Sequence, residues 1–185
     1  DPMEGPFFEE TILITPSRLS ALLQKKLTER TEQIAINLGL ENGPIHAEFR
    51  VKAEEINLLE IAPRSIGGYC SRIFRFHPES TLEELILRHS LGREVDHYRS
   101  QGESEGVFML PVPKEGKLHN VFGIEEARSV KGIKDVEITL PTGAQVLPLP
   151  DGNQYLGFLF AKGETPEFVE SALREAFSSL NVEIQ

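Results

Sequence analysis

The chain has little cysteine and no tryptophan. Its 185 residues include one cysteine, Cys70. A single cysteine excludes an internal disulfide bond and any metal site built from several thiolates, and it agrees with a reducing compartment. We therefore expect a cytoplasmic protein in which Cys70 is a buried thiol rather than a nucleophile.

Basic residues are also scarce relative to acidic ones. The chain holds 19 Lys and Arg residues against 29 Asp and Glu residues, which gives a formal net charge of -10. This charge opposes binding to nucleic acids and to anionic membranes. No apolar run approaches the roughly 18 residues that a bilayer-spanning helix needs. We expect no nucleic-acid or membrane partner, and a phosphate ligand would need a cation beside it.

The remaining composition, with 39% hydrophobic and 26% charged residues, is that of a folded protein. The polar stretch 99–106 has the glycine and serine content of a linker. It predicts a boundary between a domain over 1–100 and a small α+β domain over 106–185. The opening residues Asp1-Pro-Met-Glu-Gly-Pro, without an initiator methionine, suggest a piece of a longer polypeptide.

Several secondary-structure elements can be predicted from local signals. The pattern predicts a strand over 7–14, a long helix from Ser17 to about residue 37, and a helix that starts with a capping box of Ser80 and Glu83. Thr165 with Pro166 predicts the start of a further helix. The expected strands of the second domain are 107–111, 117–122, 136–140, 155–161 and 182–184.

Two short alternating runs, 45–51 and 56–62, predict an antiparallel hairpin. Side chains alternate between the two faces of a strand, so Glu48 shares a polar face with His46, and Glu60 shares one with Ala62. Leu58 is expected on that polar face as well. A turn centred on Glu54 would place Glu48 directly opposite Glu60.

Facing carboxylates need an explanation. Their Cβ atoms would lie about 5 Å apart, and two carboxylates at that distance repel each other unless one is protonated or a cation lies between them. Mg2+ is one such cation, because it binds one or two carboxylates and takes its other oxygens from water and phosphates. An exposed hairpin whose polar face only meets water remains an alternative.

The residues around this hairpin resemble a known family. Gly43-Pro-Ile-His-Ala-Glu-Phe-Arg50, followed by Leu58-Leu-Glu-Ile-Ala-Pro-Arg64 and Gly67-Gly68, resembles the metal-binding end of ATP-grasp enzymes. The run from Glu60 to Arg72 is similar to the branch that contains L-amino acid ligases and carnosine synthase. The resemblance implies an α+β fold: the C-terminal half of an ATP-grasp domain, an antiparallel sheet with covering helices, followed by a small α+β C-terminal domain.

The same resemblance implies roles for individual residues. Glu48 and Glu60 would be ligands of Mg2+, with Mn2+ as an alternative, and Arg64 would steady the transferring phosphoryl group of ATP and the acyl-phosphate. Gly67 and Gly68 would line the substrate loop. Many members carry asparagine at the position of Ala62. That departure leaves a second metal ion with fewer protein ligands.

The implied reaction is the ATP-dependent joining of a small carboxylate and an amine through an acyl-phosphate. The family's nucleotide-gripping lysines would lie upstream of Asp1, so this chain alone is expected to bind ATP poorly and to be inactive. Two alternatives stay open: a non-catalytic ATP-grasp-like binding or oligomerisation module, and a ligase that uses another nucleophile. A homodimer is also open.

Overall fold

The computed structural model of the protein describes residues 10–52, 55–77, 79–100 and 102–185. The helices in these ranges are α1 Ala21–Asn37, α2 Leu82–Ser90, α3 Ile124–Ser129 and α4 Pro166–Ser179, with a 3-10 helix at Cys70–Ile73. The strands are β1 Ile12–Thr15, β2 His46–Lys52, β3 Glu55–Ala62, β4 Arg75–His77, β5 Ser80–Thr81, β6 Arg99–Ser100, β7 Ser104–Leu110, β8 Gly116–Phe122, β9 Ile133–Ile138, β10 Gln145–Val146, β11 Gly157–Gly163 and β12 Asn181–Ile184.

The chain divides into two compact units. One is Ser17–Gln101, and the other joins Asp1–Pro16 to Gly102–Gln185. The strand β1 pairs antiparallel with β7, with Ile12 opposite Phe108. This strand was expected in a domain over 1–100, and its long-range pairing with β7 places it with Gly102–Gln185 instead. Residues 7–9 of the expected strand 7–14 lie outside the described residues.

The unit Ser17–Gln101 contains the hairpin β2–β3 as a two-stranded sheet and a second sheet with strand order β5-β4-β6. The helix α1 begins after Ser20, whose hydroxyl oxygen accepts a hydrogen bond from the backbone N–H of Leu23. Among the residues of α1, only Ala35 is buried. This helix therefore starts slightly later than the Thr-Pro-Ser signal suggests, and it ends where expected.

The other unit has a continuous core between its sheets and α4. Its four-stranded sheet has the order β1-β7-β11-β9, and a three-stranded sheet has the order β10-β8-β12. The helix α4 contacts β7 and β11 through a buried face made of Val169, Ala172, Leu173 and Ala176. Thr165 caps this helix by accepting a hydrogen bond from the N–H of Phe168, as predicted.

Two expectations are wrong in detail. The N-cap of α2 is Thr81 rather than Ser80: the Thr81 hydroxyl accepts a hydrogen bond from the Glu84 N–H, because Ser80 is paired with Phe76 in β5 and the helix begins one residue later. The stretch 99–106 is not a free linker in its described part. Its residues form β6 and the start of β7, and Ser104 is buried.

The α+β class with antiparallel sheets is confirmed, since every pair of strands in the described residues is antiparallel. None of the helices described combines the length and the apolar character that crossing a membrane requires.

Candidate functional site

The hairpin β2–β3 places the two candidate carboxylates opposite each other. Glu48 pairs with Glu60, and the neighbouring pairs on one side are Ala47 with Ile61 and His46 with Ala62. The expected facing of Glu48 and Glu60 is therefore confirmed. The predicted turn centre, Glu54, lies outside the described residues.

The register shifts between Glu48 and Phe49, which was not expected. Phe49 pairs with Leu58 instead of Leu59, so Leu59 is an extra residue on β3. Such a bulge changes which side chains share a face. Leu58 belongs with Phe49 on the apolar face, and its expected place on the polar face beside Glu60 was wrong.

The bulge sorts the hairpin into two chemically distinct faces. Opposite residues of an antiparallel pair share a face, and successive residues alternate. One face collects the apolar side chains Ala47, Phe49, Val51, Ile56, Leu58 and Ile61. The other collects His46, Glu48, Arg50, Lys52, Glu55, Asn57, Glu60 and Ala62. Under strict alternation with no bulge, Ile56 and Ile61 would point to opposite faces, so the bulge is what leaves Ala62 as the only apolar residue in the list of the polar face.

Arg64 lies beside Glu60 in the loop that follows β3. Its Nη2 donates a hydrogen bond to Glu60 Oε1 at 3.1 Å, and its Nη1 donates to the carbonyl oxygen of Ser65 at 3.1 Å. The side chains of Arg64 and Glu60 keep 55% and 51% of their surface exposed. The structure therefore brings together three of the predicted site residues, Glu48, Glu60 and Arg64, at the end of the hairpin.

The glycine loop leaves backbone open to a ligand. Gly68 has a φ of 61°, in the left-handed region that favours glycine. A Cβ atom on Gly67 would meet nothing within 4 Å. No packing contact therefore requires glycine at position 67, and the open space beside it allows a phosphate or substrate group to approach the backbone.

The donor set suits a hard divalent cation. Two facing carboxylates offer oxygen ligands, and Mg2+ completes its coordination with water and phosphate oxygens. In the described ranges, no group of three or more His, Cys, Asp or Glu side chains is placed to hold a metal ion. A Mg2+ ion held by this pair would therefore need further oxygen ligands from water or phosphate.

A residue that the sequence analysis did not assign to the site is Glu83. The Ser71 hydroxyl and the backbone N–H of Glu83 itself donate hydrogen bonds to its carboxylate, and Thr81 and the charge of Arg75 add to them. These interactions hold the pKa of Glu83 below its usual range. The contact ties the start of α2 to the 3-10 helix after the glycine loop. In the sequence, the available signal at Glu83 was its position three residues after Ser80, which indicated the start of a helix.

Cys70 and Arg72 are two further residues near the glycine loop, and neither belongs to the carboxylate pair. Burial raises the pKa of the Cys70 thiol to about 11, which opposes a role as a nucleophile at neutral pH. The guanidinium carbon of Arg72 lies 5.5 Å from the centre of the Tyr69 ring, a cation–π contact that packs Arg72 against the loop.

Comparison with known proteins adds two family matches. Residues 1–73 match the ATP-grasp domain, and residues 108–185 match the L-amino acid ligase C-terminal domain 2. A crystal structure of an L-amino acid ligase from Bacillus licheniformis superimposes with a TM-score of 0.82 at 26% identity, over 98% of this chain and 46% of that one.

Two curated relatives are also similar to most of this chain. The alanine–anticapsin ligase of Bacillus amyloliquefaciens is 26% identical over 94% of this chain and 36% of its own length. An uncharacterized protein of Sinorhizobium fredii is 20% identical over 95% of this chain and 37% of its own length. The chain thus spans about a third of the length of these relatives.

The two matched segments agree with the fold: residues 1–73 are similar to the ATP-grasp domain, and residues 108–185 are similar to the L-amino acid ligase C-terminal domain 2. The expected resemblance to ATP-grasp enzymes, and to their L-amino acid ligase branch, is confirmed.

Proposed function

We propose that this chain supplies the magnesium- and phosphate-binding part of an ATP-dependent ligase that joins a carboxylate to an amine. The observation that carries the proposal is the cross-strand pair Glu48 and Glu60, with the Arg64 guanidinium 3.1 Å from Glu60. The relatives named as L-amino acid ligase and alanine–anticapsin ligase favour amino acids or similar small molecules as both substrates.

In the proposed reaction, a substrate carboxylate oxygen attacks the γ-phosphorus of ATP and ADP leaves. The amine nitrogen then attacks the acyl carbon of the acyl-phosphate, the bond to phosphate breaks, and the nitrogen loses a proton to the leaving phosphate as the amide forms. Mg2+, when bound, would neutralise charge on the phosphates. Glu48 and Glu60 would hold it, and Arg64 would donate N–H groups to the transferring phosphoryl oxygens. Gly67 and Gly68 would present backbone to the substrate.

No protein nucleophile is needed for this chemistry. Positioning and stabilisation of charge account for most phosphoryl-transfer catalysis. The raised pKa of the Cys70 thiol agrees with that requirement, because the thiol stays protonated near neutral pH. We place the reaction in the cytoplasm, as the cysteine content suggests.

The proposal is tested by Glu60→Gln in the full-length polypeptide. We expect ATP-dependent ligation to fall by roughly 100- to 1,000-fold, the usual loss when one charge-stabilising group is removed from an active site. The matched control is Glu55→Gln, which removes a carboxylate from the same face, opposite Lys52, and should leave ligation unchanged. Wild-type ligation by Glu60→Gln at saturating Mg2+ would disprove the metal assignment.

One observation favours a second candidate. Ala62, opposite His46 in the hairpin, offers no oxygen ligand where many family members have asparagine, so the chain could be a binding or oligomerisation module that kept the fold without the chemistry. Upstream sequence that lacks nucleotide-gripping lysines would support this candidate. Product analysis would separate amine ligation from ligation of a thiol or of ammonia.

A further inference from the structure

Arg64 and Glu60 form an ion pair at the position proposed for the metal. Glu60 Oε1 is 3.1 Å from Arg64 Nη2. Glu48 lies directly across the hairpin from Glu60. The two carboxylates carry two negative charges and the guanidinium carries one positive charge, so Arg64 offsets half of the charge that would otherwise repel across the strands.

The guanidinium and a divalent cation cannot share Glu60 without repelling each other. A metal bound by Glu60 would lie within a few ångströms of the Arg64 charge, where two cations raise each other's energy. A phosphoryl group offers the guanidinium a better partner, because Arg binds phosphate oxygens through two parallel N–H groups. The same arginine therefore has two alternative partners at one site.

The local structure lets Arg64 change partner without moving its backbone. The backbone N–H of Arg64 donates to the carbonyl oxygen of Ala62 at 2.9 Å, which anchors the turn. Its side chain is 55% exposed and held only by Glu60 and the Ser65 carbonyl oxygen in the described contacts. An exposed ion pair of this kind contributes little and is easily exchanged.

We propose that Arg64 is the resident counterion of Glu60 and is exchanged for the divalent cation. In this scheme, metal binding at Glu48 and Glu60 releases the guanidinium from Glu60, and the released guanidinium becomes available to the phosphoryl group. Metal binding and phosphoryl binding are thereby coupled through one side chain. The inference rests on the proposed function, because it requires the metal to bind at these glutamates.

The coupling is tested by measuring Mn2+ binding to the full-length polypeptide without nucleotide. The electron paramagnetic resonance signal of free Mn2+ reports how much metal is bound. Arg64→Gln removes the competing cation and should lower the Kd for Mn2+ by roughly two- to five-fold, the contribution of an exposed ion pair. Lys52→Gln removes an equal charge from the polar face of the hairpin and should leave the Kd unchanged.

A second readout follows the Arg64 Nε–Hε resonance by nuclear magnetic resonance, assigned by its loss in Arg64→Gln. Addition of Mg2+ should shift this resonance, and Glu60→Gln should shift it similarly without metal. The resonance of Arg88, which forms an ion pair with Glu84 at the same sequence spacing, should not respond to Mg2+.

Two results separate failure of this inference from failure of the proposed function. Unchanged or weaker Mn2+ binding in Arg64→Gln, or an equal gain in Lys52→Gln, overturns the exchange while the metal site stands. Mn2+ binding that survives both Glu48→Gln and Glu60→Gln overturns the metal site itself.

Discussion

The two units of the chain bury their apolar side chains to different extents. In the unit that contains residues 102–185, α4 and the sheets enclose a core whose members include Leu159 and Leu173, both fully buried. In the unit Ser17–Gln101, α2 has no buried residue, and Leu22 and Leu87 are 65% and 64% exposed. The unit that contains residues 102–185 has an extensive buried core, whereas the unit Ser17–Gln101 leaves many of its apolar side chains exposed.

The difference shows where stability and chemistry lie. The candidate site is on the hairpin β2–β3, a two-stranded sheet, which is marginally stable on its own in water. Leu58 on its apolar face is still 40% exposed, and Leu59 in the bulge is 48% exposed. Substitutions in the unit Ser17–Gln101 should therefore change ligand binding more than stability. Substitutions in the unit that contains residues 102–185 should change stability more than ligand binding.

The largest expected effect is on the core of the second unit. Leu159→Ala should reduce the free energy of unfolding by about 2–5 kcal/mol, because it leaves a cavity at a fully buried position. Leu22→Ala, at a 65% exposed position, should change it by about 0.5 kcal/mol or less. Denaturant unfolding measures both. Equal losses in the two variants would contradict the contrast between the units.

A smaller effect is expected from a pair of glycines. A Cβ atom on Gly157 would overlap the backbone carbonyl oxygen of Glu137 in the adjacent strand β9, whereas one on Gly67 would meet nothing within 4 Å. Gly157→Ala should therefore cost about 1–3 kcal/mol, as overpacking does, and Gly67→Ala should leave stability unchanged. Thermal unfolding compares them.

The ligation activity of Gly67→Ala distinguishes a role in ligand binding from a role in folding. Loss of ligation in Gly67→Ala without loss of stability would show that this glycine serves the ligand. If Gly67→Ala unfolded as readily as Gly157→Ala, the glycine loop would have a structural role instead.

Much of the hairpin could be predicted from its sequence, and its bulge could not. Alternation over 45–51 and 56–62 was enough to predict two strands, and the assumed turn centred on Glu54 then placed Glu48 opposite Glu60, as observed. The adjacent pair Leu58-Leu59 breaks that alternation, and it was the available signal for an extra residue. Alternation alone does not say which of two adjacent apolar residues leaves the ladder, because pairing with Phe49 decides it.

Pairing between strands explains the other differences. Ser80 and Thr81 are both good caps with a glutamate three residues later, and only the pairing of Ser80 with Phe76 selects Thr81. Ser104 has the composition of a linker, yet it pairs with Gly163 and is buried. In contrast, Thr165 was identified correctly because the cap, the following proline and the helix are all local.

The last prediction concerns Cys70, one of the few buried residues of the first unit. Burial raises the pKa of its thiol from 9.0 to about 11. A raised pKa means that the folded state retains the proton longer, so this contribution to stability is complete below pH 9 and is lost as the pH rises towards 11. The free energy of unfolding should fall over that range, and Cys70→Ala should fall less.

The same pKa shift predicts slow chemistry at the thiol. Because the thiolate is the reactive form, alkylation of Cys70 by iodoacetamide at pH 8 should be on the order of 100-fold slower than that of an unperturbed thiol. Mass spectrometry of the modified peptide gives the rate, with urea-unfolded protein as the control. Rapid alkylation of the folded protein would show that the 3-10 helix at Cys70–Ile73 opens readily.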